Sequence, residues 1–582
     1  MRNLWKVGAL SAVFGAVLGV GGCSDFQAAY EDCENEGRCG PQVDTDGGSE
    51  DGGSDAGDAG DGGDITPPPC GDGGVDYPDL TGFDNDCDGI DGVADAGFFV
   101  DPVGGKDDDF NGTREKPFKT LARALQEIRD GGTGRNIVYL GTGTYNEPAP
   151  AVDMPVSLYG GYTWRQNGNP FWDRFKDGGG STFFASSPRG FLVQDVTTQD
   201  AGILLDAIHV ASADGQDAGE PSIALRVRNV RELVLRDVVL EAGRGAPGPD
   251  GQRGSDGPDG GNGNAGSNSD SGVNLGGNGA QPQCSGGYAG GLGGLGGGNG
   301  TGNMGSSGRP ATSGGAAGAA GTKDSCPNNI CSCTGGDGGV GTSGNVGDAG
   351  TGGSPGEGSG RILAETLWEA NQQGGEGKPG GPGQGGGGGG GGGNCGGLND
   401  TNIKNPTGAA GGGGGSGGCG GTGGQGGGGG GASIGLLATN SQVIVDHKLK
   451  LIVRGGGQGG RGGAGGNGGQ GGNGGRGGEQ LLLTSTTTNS ETGTTEVYII
   501  TSGSGGRGGN GGQGGNGGGG GGGGGGPSVG TWCVNTTITR QQSFDTELSP
   551  GGLGGLGSSD AGAATGLSTE SIDCTFVDAG TP

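Results

Sequence analysis

Ser222-Ile223-Ala224-Leu225, followed by Asn229 and Leu240, recurs without a gap as Ser433-Ile434-Gly435-Leu436, Asn440 and Leu451, an offset of 211 residues (222 to 433). Beyond that frame the glycines keep step. Gly245, Gly248, Gly251 and onward to Gly266 fall on Gly456 through Gly477 at the same three-residue period. Glycine phase is weak evidence in so glycine-rich a chain, so the side-chain frame carries the argument. The repeated unit reads as an extended β segment followed by a glycine excursion. Within it Leu225 and Val227 face inward while Arg226 and Arg228 face outward, the period-two alternation of a half-buried strand.

Composition limits what can surround this unit. Of 582 residues, 166 are glycine, 28% are hydrophobic, and the formal net charge is -31. Such a chain cannot form one ordinary globule. Its apolar residues concentrate in 98–243 and in islands at 432–454, 480–501 and 530–538, enough for one modest core and not for a second. The acidity argues against nucleic-acid partners. No Gly-x-x-x-x-Gly-Lys-Ser/Thr loop occurs, and the Gly-x-Gly-x-x-Gly matches follow from composition alone, so no nucleotide is expected.

Residues 1–22 read as an export signal: Arg2 and Lys6 precede an apolar run, Val7 to Val20, too short and too Gly/Ala-rich to span a bilayer. The run ends in Val20-Gly21-Gly22-Cys23, which resembles the lipobox of bacterial lipoproteins. That resemblance implies cleavage before Cys23 and its lipidation. Ser24, rather than Asp, then implies the outer membrane or cell surface. Two or three acyl chains would anchor firmly where one binds only reversibly. Residues 23–69 form an acidic Gly/Asp-rich tether, self-repelling and solvated.

Twelve further cysteines remain as disulfide candidates: Cys33, Cys39, Cys70, Cys87, Cys284, Cys326, Cys331, Cys333, Cys395, Cys419, Cys533 and Cys574. An even number in an exported chain reads as disulfides. Zinc at Cys326-x4-Cys331-x-Cys333 is disfavoured, because the chain has only His209 and His447.

Residues 70–97 hold Asp84-Asn85-Asp86-Cys87-Asp88-Gly89-Ile90, with Asp95 behind. Carboxylates at loop positions one, three, five and twelve, and glycine at six, suit a calcium loop; Ile90 would give a backbone carbonyl. The run resembles the Asp-Asn-Asp-Cys-Asp-Gly metal-binding motif of bacterial surface proteins, implying a structural calcium. An acidic turn stapled by Cys70–Cys87 is the alternative.

From Phe99-Val100-Asp101-Pro102 through Asn111-Gly112-Thr113, Lys116-Pro117-Phe118, Gly143-Thr144-Tyr145 and Tyr159-Gly160-Gly161-Tyr162, the text resembles the N-terminal cap of bacterial right-handed parallel β-helices of the pectin-lyase-like superfamily. The likeness covers about residues 98–243. Pro117 suits a first helical turn, Leu121, Leu125 and Ile128 share a face, and Gly131-Gly132 stops the helix. Such a helix would plug the open end of a stacked-strand core. The fold class expected is therefore all-β: a short right-handed parallel β-helix with an N-terminal capping helix and long glycine-rich insertions, polyglycine-II-like or disordered.

At 455–479 the excursion becomes an unbroken Gly-Gly-X pattern, resembling the polyglycine-II bundles of snow-flea-type antifreeze proteins and the Gly-Gly-X segments of PE-PGRS surface proteins. A three-residue helix would put every X on one edge and leave bare backbone to bond with neighbours. Strict register favours a bundle at 456–479; featureless runs such as Gly385–Gly393 favour disorder. The expected units are 244–431 (glycine insertion), 432–502 (β-helix rungs with the 455–479 excursion), 503–529 (a second excursion) and 530–582 (terminal β segments and tail).

No catalytic residue is assigned. Outward Arg226 and Arg228 would suit a polyuronate lyase only beside a carboxylate cluster, for which Asp195, Asp206 and Asp237 are the candidates. The expected function is a non-enzymatic surface scaffold or adhesin touching polysaccharide or neighbouring cells. The alternative is a β-helix lyase or hydrolase acting on acidic polysaccharide.

Overall fold

A computed structural model describes residues 76–579, apart from 80–83, 132–133, 149–150, 166–170, 175–181, 199–201, 270–274, 311–313, 316–326, 364–366, 371–372, 397–402, 489–490, 492, 542 and 558–561. Cys23, Cys33, Cys39, Cys70 and Cys326, with the leader and tether, lie outside the described residues.

Most strands lie in three parallel sheets. The repeated segments explain how. Ser222–Arg228 pairs in parallel with Ser433–Thr439, Ser222 opposite Ser433 and Leu225 opposite Leu436. Ser433–Thr439 pairs in the same sense with Ser528–Val534. The sequence repeat is thus a stack, each copy lying on the one before. The chain visits the sheets in rotation: Ser222–Arg228 in one, Leu233–Arg236 in the next and Val238–Ala242 in the third, then Ser433–Thr439, Gln442–Val445 and Leu449–Val453 in the same order. Inward residues from all three sheets form one apolar core, including Leu225, Val227, Leu235, Leu240, Leu436, Val443 and Leu451. Fully burying each such side chain contributes roughly 1.5–3 kcal/mol.

One corner of each turn is tight. Asp195, Asn229, Asn440, Asn535 and Asp573 all have positive φ there. Asn and Asp tolerate the left-handed region better than other side chains. They also bond along the stack: Asn229 Nδ2 donates to Asp195 Oδ1 (2.8 Å), Asn440 to Asn229 (3.3 Å) and Asn535 to Asn440 (3.2 Å). This is why the Asn recurs in the repeat.

The helix α1, Leu121–Arg129, is capped by the Thr120 side chain, which accepts from Arg123 N–H. Leu121, Ala124 and Leu125 are buried in the core, and Ile128 packs against it. Pro117 falls before the cap and outside the first turn, because Phe118 donates its N–H to Phe99 and accepts from Asp101.

The glycine segments leave each turn at the same opposite corner: after Val238–Ala242, after Leu449–Val453 and after Asp545–Leu548. They lie side by side and hydrogen-bond across. Gly245 through Gly266 donate at every third residue to carbonyls of Gly455 through Arg476, running parallel. Gly457 through Gly478 donate to Gly431 back through Ala410, antiparallel, and Gly505 through Gly526 donate to Gly478 back through Gly457.

Two expectations need correction. Gly385–Gly393 is ordered: Gly386 donates to Gly415, Gly389 to Gly412 and Gly392 to Ala409, and every residue in the run is buried. A segment with neighbours all round has no edge on which to carry a side chain, so pure glycine marks the interior of the bundle. Segment 503–527 shows the rule within itself. Its third positions are Ser504, Arg507, Asn510, Gln513 and Asn516 where it forms an edge, then Gly519, Gly522 and Gly525; an added Cβ at the last two would lie 2.1 Å from Gly555 O and 1.8 Å from Gly552 O. Second, 480–502 does not supply rungs. Leu482–Thr488 and Thr495–Thr501 form an antiparallel hairpin, joined in parallel by Ile330–Thr334, in a separate three-stranded sheet. Period-two alternation is the same for a rung and a hairpin, so the pattern could not separate them.

Three disulfides are described: Cys284–Cys419, Cys333–Cys395 and Cys533–Cys574. Cys87 and Cys331 are disulfide-bonded as well. The first joins two glycine segments across 135 residues of chain. Closing so long a loop removes on the order of 4–5 kcal/mol of unfolded-state entropy.

Candidate functional site

The segment before the first strand folds around its own carboxylates. Asp84 accepts N–H bonds from Asp88 (3.1 Å) and Gly89 (2.8 Å), and Asp86 also accepts from Asp88 (3.1 Å). Positive φ at Cys87 and Gly89 makes the turn tight enough for this. Asp76, only 2% exposed, accepts from Gly92 N–H (2.9 Å) and Asn85 Nδ2 (3.1 Å). One oxygen from each of Asp76, Asp84 and Asp86 lies within 4.8 Å of the others. Burial raises the pKa of Asp76 and Asp84, and the Asp86 charge adds to the rise. Three hard oxygen donors that repel one another are a set that could hold a metal ion.

Of the expected ligands, Asp84 and Asp86 converge. Asp88 instead accepts from Ile90 N–H (3.2 Å) and Ala94 N–H (3.0 Å), and Asp95 is exposed on the short turn Ala94–Ala96. The Ile90 side chain is buried among aromatic residues. Asp76 was missed because it precedes the loop motif; its signal is an acid in Asp76-Tyr77-Pro78, eight residues ahead of Asp84.

Beside this group lies a buried cluster that sequence patterns did not reveal. Arg174 approaches Asp206 (3.0 Å) and Asp91 (3.7 Å), and Arg236 donates to Asp206 (2.8 Å). Both guanidiniums lie over the Tyr159 ring, and Arg174 also over Tyr162. Tyr162 and Tyr139 hydroxyls donate to the carbonyls of Asp91 (2.7 Å) and Val93 (3.0 Å). Arg174 and Arg236 donate to the carbonyls of Asp79 and Pro78. The cluster clips residues 76–79 and 84–96 onto the outer face of one sheet. Burial pushes the Asp91 carboxyl up to about 8, against the pull of Arg174.

The three carboxylates considered for lyase chemistry do not gather beside Arg226 and Arg228. Asp195 pairs with Arg228 (3.0 Å), Asp206 lies in the buried cluster, and Asp237 pairs with His447 (2.7 Å). Arg226 aligns with Leu437 and Leu437 with Trp532 on the outer face of its sheet. His209 pairs with Glu241 (3.2 Å), which also binds Arg454.

The exposed edge of the glycine bundle is the other surface the fold builds. Gln458, Arg461, Ala464, Asn467, Gln470, Asn473, Arg476 and Glu479 are all exposed, at a three-residue period. Their own N–H groups are met from the adjacent segment: Asp250 accepts from Arg461, Asp256 from Asn467, Asp259 from Gln470 and Asn262 from Asn473, at 2.7–2.8 Å. Asn516 and Asn510 accept from Gly468 (2.9 Å) and Gly474 (3.0 Å). The Asp and Asn residues at X positions therefore complete the hydrogen bonding of an edge, standing in for a neighbouring carbonyl.

Among the described residues no helix is long and apolar enough to cross a membrane. No protein-family model, curated protein or solved structure matches the chain.

Proposed function

We propose that this chain is a non-enzymatic, lipid-anchored scaffold or adhesin of the outer membrane or cell surface, in which a β-helical platform carries a rigid polyglycine-II bundle. The observation that carries the reading is the edge of that bundle, where exposed side chains recur at every third residue over backbone bonded on its other sides. A three-residue helix rising about 3.1 Å per residue spaces these side chains by about 9 Å. A rigid, regularly spaced polar face suits an extended polysaccharide or the surface of a neighbouring cell. Rotation of the chain through three parallel sheets supports a parallel β-helix, and parallel crossovers are right-handed in nearly all proteins. Cys23 would be the lipidated residue and 24–69 the tether. A structural calcium held by Asp76, Asp84 and Asp86 would brace the start of the platform.

Three measurements test this. Labelled palmitate should enter the wild type and not Cys23→Ser; equal labelling removes the anchor. Millimolar calcium should raise the melting temperature of the full chain relative to chelator, and Asp76→Asn should abolish that rise; no shift in the wild type leaves only a hydrogen-bonded acidic turn. Cells displaying the wild type should retain purified polysaccharide or neighbouring cells that Gly468→Val cells release. Depolymerisation of an acidic polysaccharide by the purified chain would instead establish the lyase or hydrolase alternative.

A further inference from the structure

The hairpin at the far end of the bundle presents an edge unlike the edge strands of the last turn. Segment 456–479 carries the chain outward, roughly 70 Å at about 3.1 Å per residue, and Leu482–Thr488 follows directly. This strand is the outermost of its three-stranded sheet, hydrogen-bonded to Thr495–Thr501 on one side. Among the described residues, no backbone group bonds to its other side. All seven of its residues are exposed or half-exposed, and Leu482 is 61% exposed.

Its composition is Leu-Leu-Thr-Ser-Thr-Thr-Thr, with no charge and no proline. Strands at the last turn of the platform carry charges instead: Asp545 and Glu547, Glu570, and Asp578. Charged residues on edge strands are the ordinary defence against pairing with another chain. The distal strand lacks that defence, although the chain around it carries a net charge of -31. The sheet is rigid beneath the edge: Cys333 is disulfide-bonded to Cys395, and Cys331, Tyr498, Ile500 and Ile403 pack under it.

We propose that Leu482–Thr488 is a self-association edge, pairing antiparallel with the same strand of a second copy to give a continuous six-stranded sheet. A two-fold axis at Ser485 would set Thr484 opposite Thr486 and Leu482 opposite Thr488 of the partner. Such a contact is isologous, the same patch on both copies. It uses β-strand addition, in which main-chain bonds supply the affinity and cross-strand threonine pairs the register. Copies this acidic repel one another over most of their surface, so association is confined to where charge is missing. The two-fold pairing sets threonine against threonine with no charge on either side, so the strand complements itself and the occupant is a second copy of this chain. The inference rests on the strand alone and stands or falls independently of anchoring and of polysaccharide binding.

Sedimentation of the full chain across a concentration series tests it. The wild type should pass from the mass of one chain to the mass of two, while Thr486→Lys and Thr484→Pro stay at one at every concentration with unchanged melting. Ser485→Cys should give a covalent dimer on mild oxidation. If a lysine or proline variant fails to fold, the cysteine variant decides alone. A wild type that remains single throughout, a dimer that survives Thr486→Lys, or no cross-link at Ser485 would overturn the pairing.

Discussion

The platform and the bundle are built from opposite materials. In the platform, branched side chains such as Leu225, Leu436 and Val443 fill the space between three sheets. In the bundle there is almost no side chain to bury, and main chain packs on main chain. Freezing a residue costs about 1–2 kcal/mol of backbone entropy, and glycine loses more freedom than any other residue. A hydrogen bond contributes only about 0.5–1.5 kcal/mol net. A single glycine segment therefore cannot hold itself straight. The bundle can, because segment 410–431 exchanges bonds with 246–267, 374–389, 457–478 and 505–526 together, and because each set of glycine segments leaves from one platform strand and returns to the next. An apolar core tolerates gradual change in side-chain volume; a core of backbone admits only small side chains at a few positions, such as Ala410, Ser416 and Cys419.

The largest effect should come from testing that intolerance. A Cβ at Gly468 would lie 1.9 Å from Gly514 O, so Gly468→Val must push neighbouring segments apart and break a row of bonds. It should cost upwards of about 4 kcal/mol, whereas exposed Asn467→Val should stay within about 0.5 kcal/mol. Amide exchange across 456–479 separates the two. Random-coil exchange in the wild type, or equal behaviour of the variants, would refute the bundle. In the platform, Leu436→Ala should cost about 2–5 kcal/mol through the cavity it leaves. That loss should appear as a lower melting temperature while bundle amides stay protected.

A third test separates the platform's outer clip from both. With the Asp91 carboxyl raised to about 8, the folded state holds a proton that the unfolded chain releases near pH 4. The contribution is full below pH 4 and is lost as pH rises through 8. Melting temperature should fall across that window in the wild type and be flatter in Asp91→Asn; equal slopes would show that Asp91 stays ionised beside Arg174. The smallest effect should follow Asn262→Ala, which removes the acceptor for Asn473 N–H (2.8 Å) at the bundle edge. A loss of about 0.5–1.5 kcal/mol, with faster exchange confined to Asn473, would confirm that X residues seal the edge.

The sequence alone was enough to show the stack, because Ser222-Ile-x-Leu, Asn229 and Leu240 meet their copies in direct register and each has a local physical reason to recur. Alternation placed Leu225 and Val227 inward, and the amphipathic run placed α1. Two of the three converging carboxylates were legible too, since Asp84 and Asp86 sit within one turn. Tertiary structure decided the rest. Asp76 is brought beside Asp84 by its bonds from Asn85 and Gly92 rather than by loop spacing. Arg174, Asp206 and Asp91 meet across strands separated in sequence, which no local pattern records. Leu482–Thr488 alternates like a rung but lies at the distal end, because two glycine segments carry it there. The plain run Gly385–Gly393 looked unstructured for the same reason that it is ordered. Glycine specifies nothing by itself, and only the neighbours that surround it decide whether its backbone is fixed.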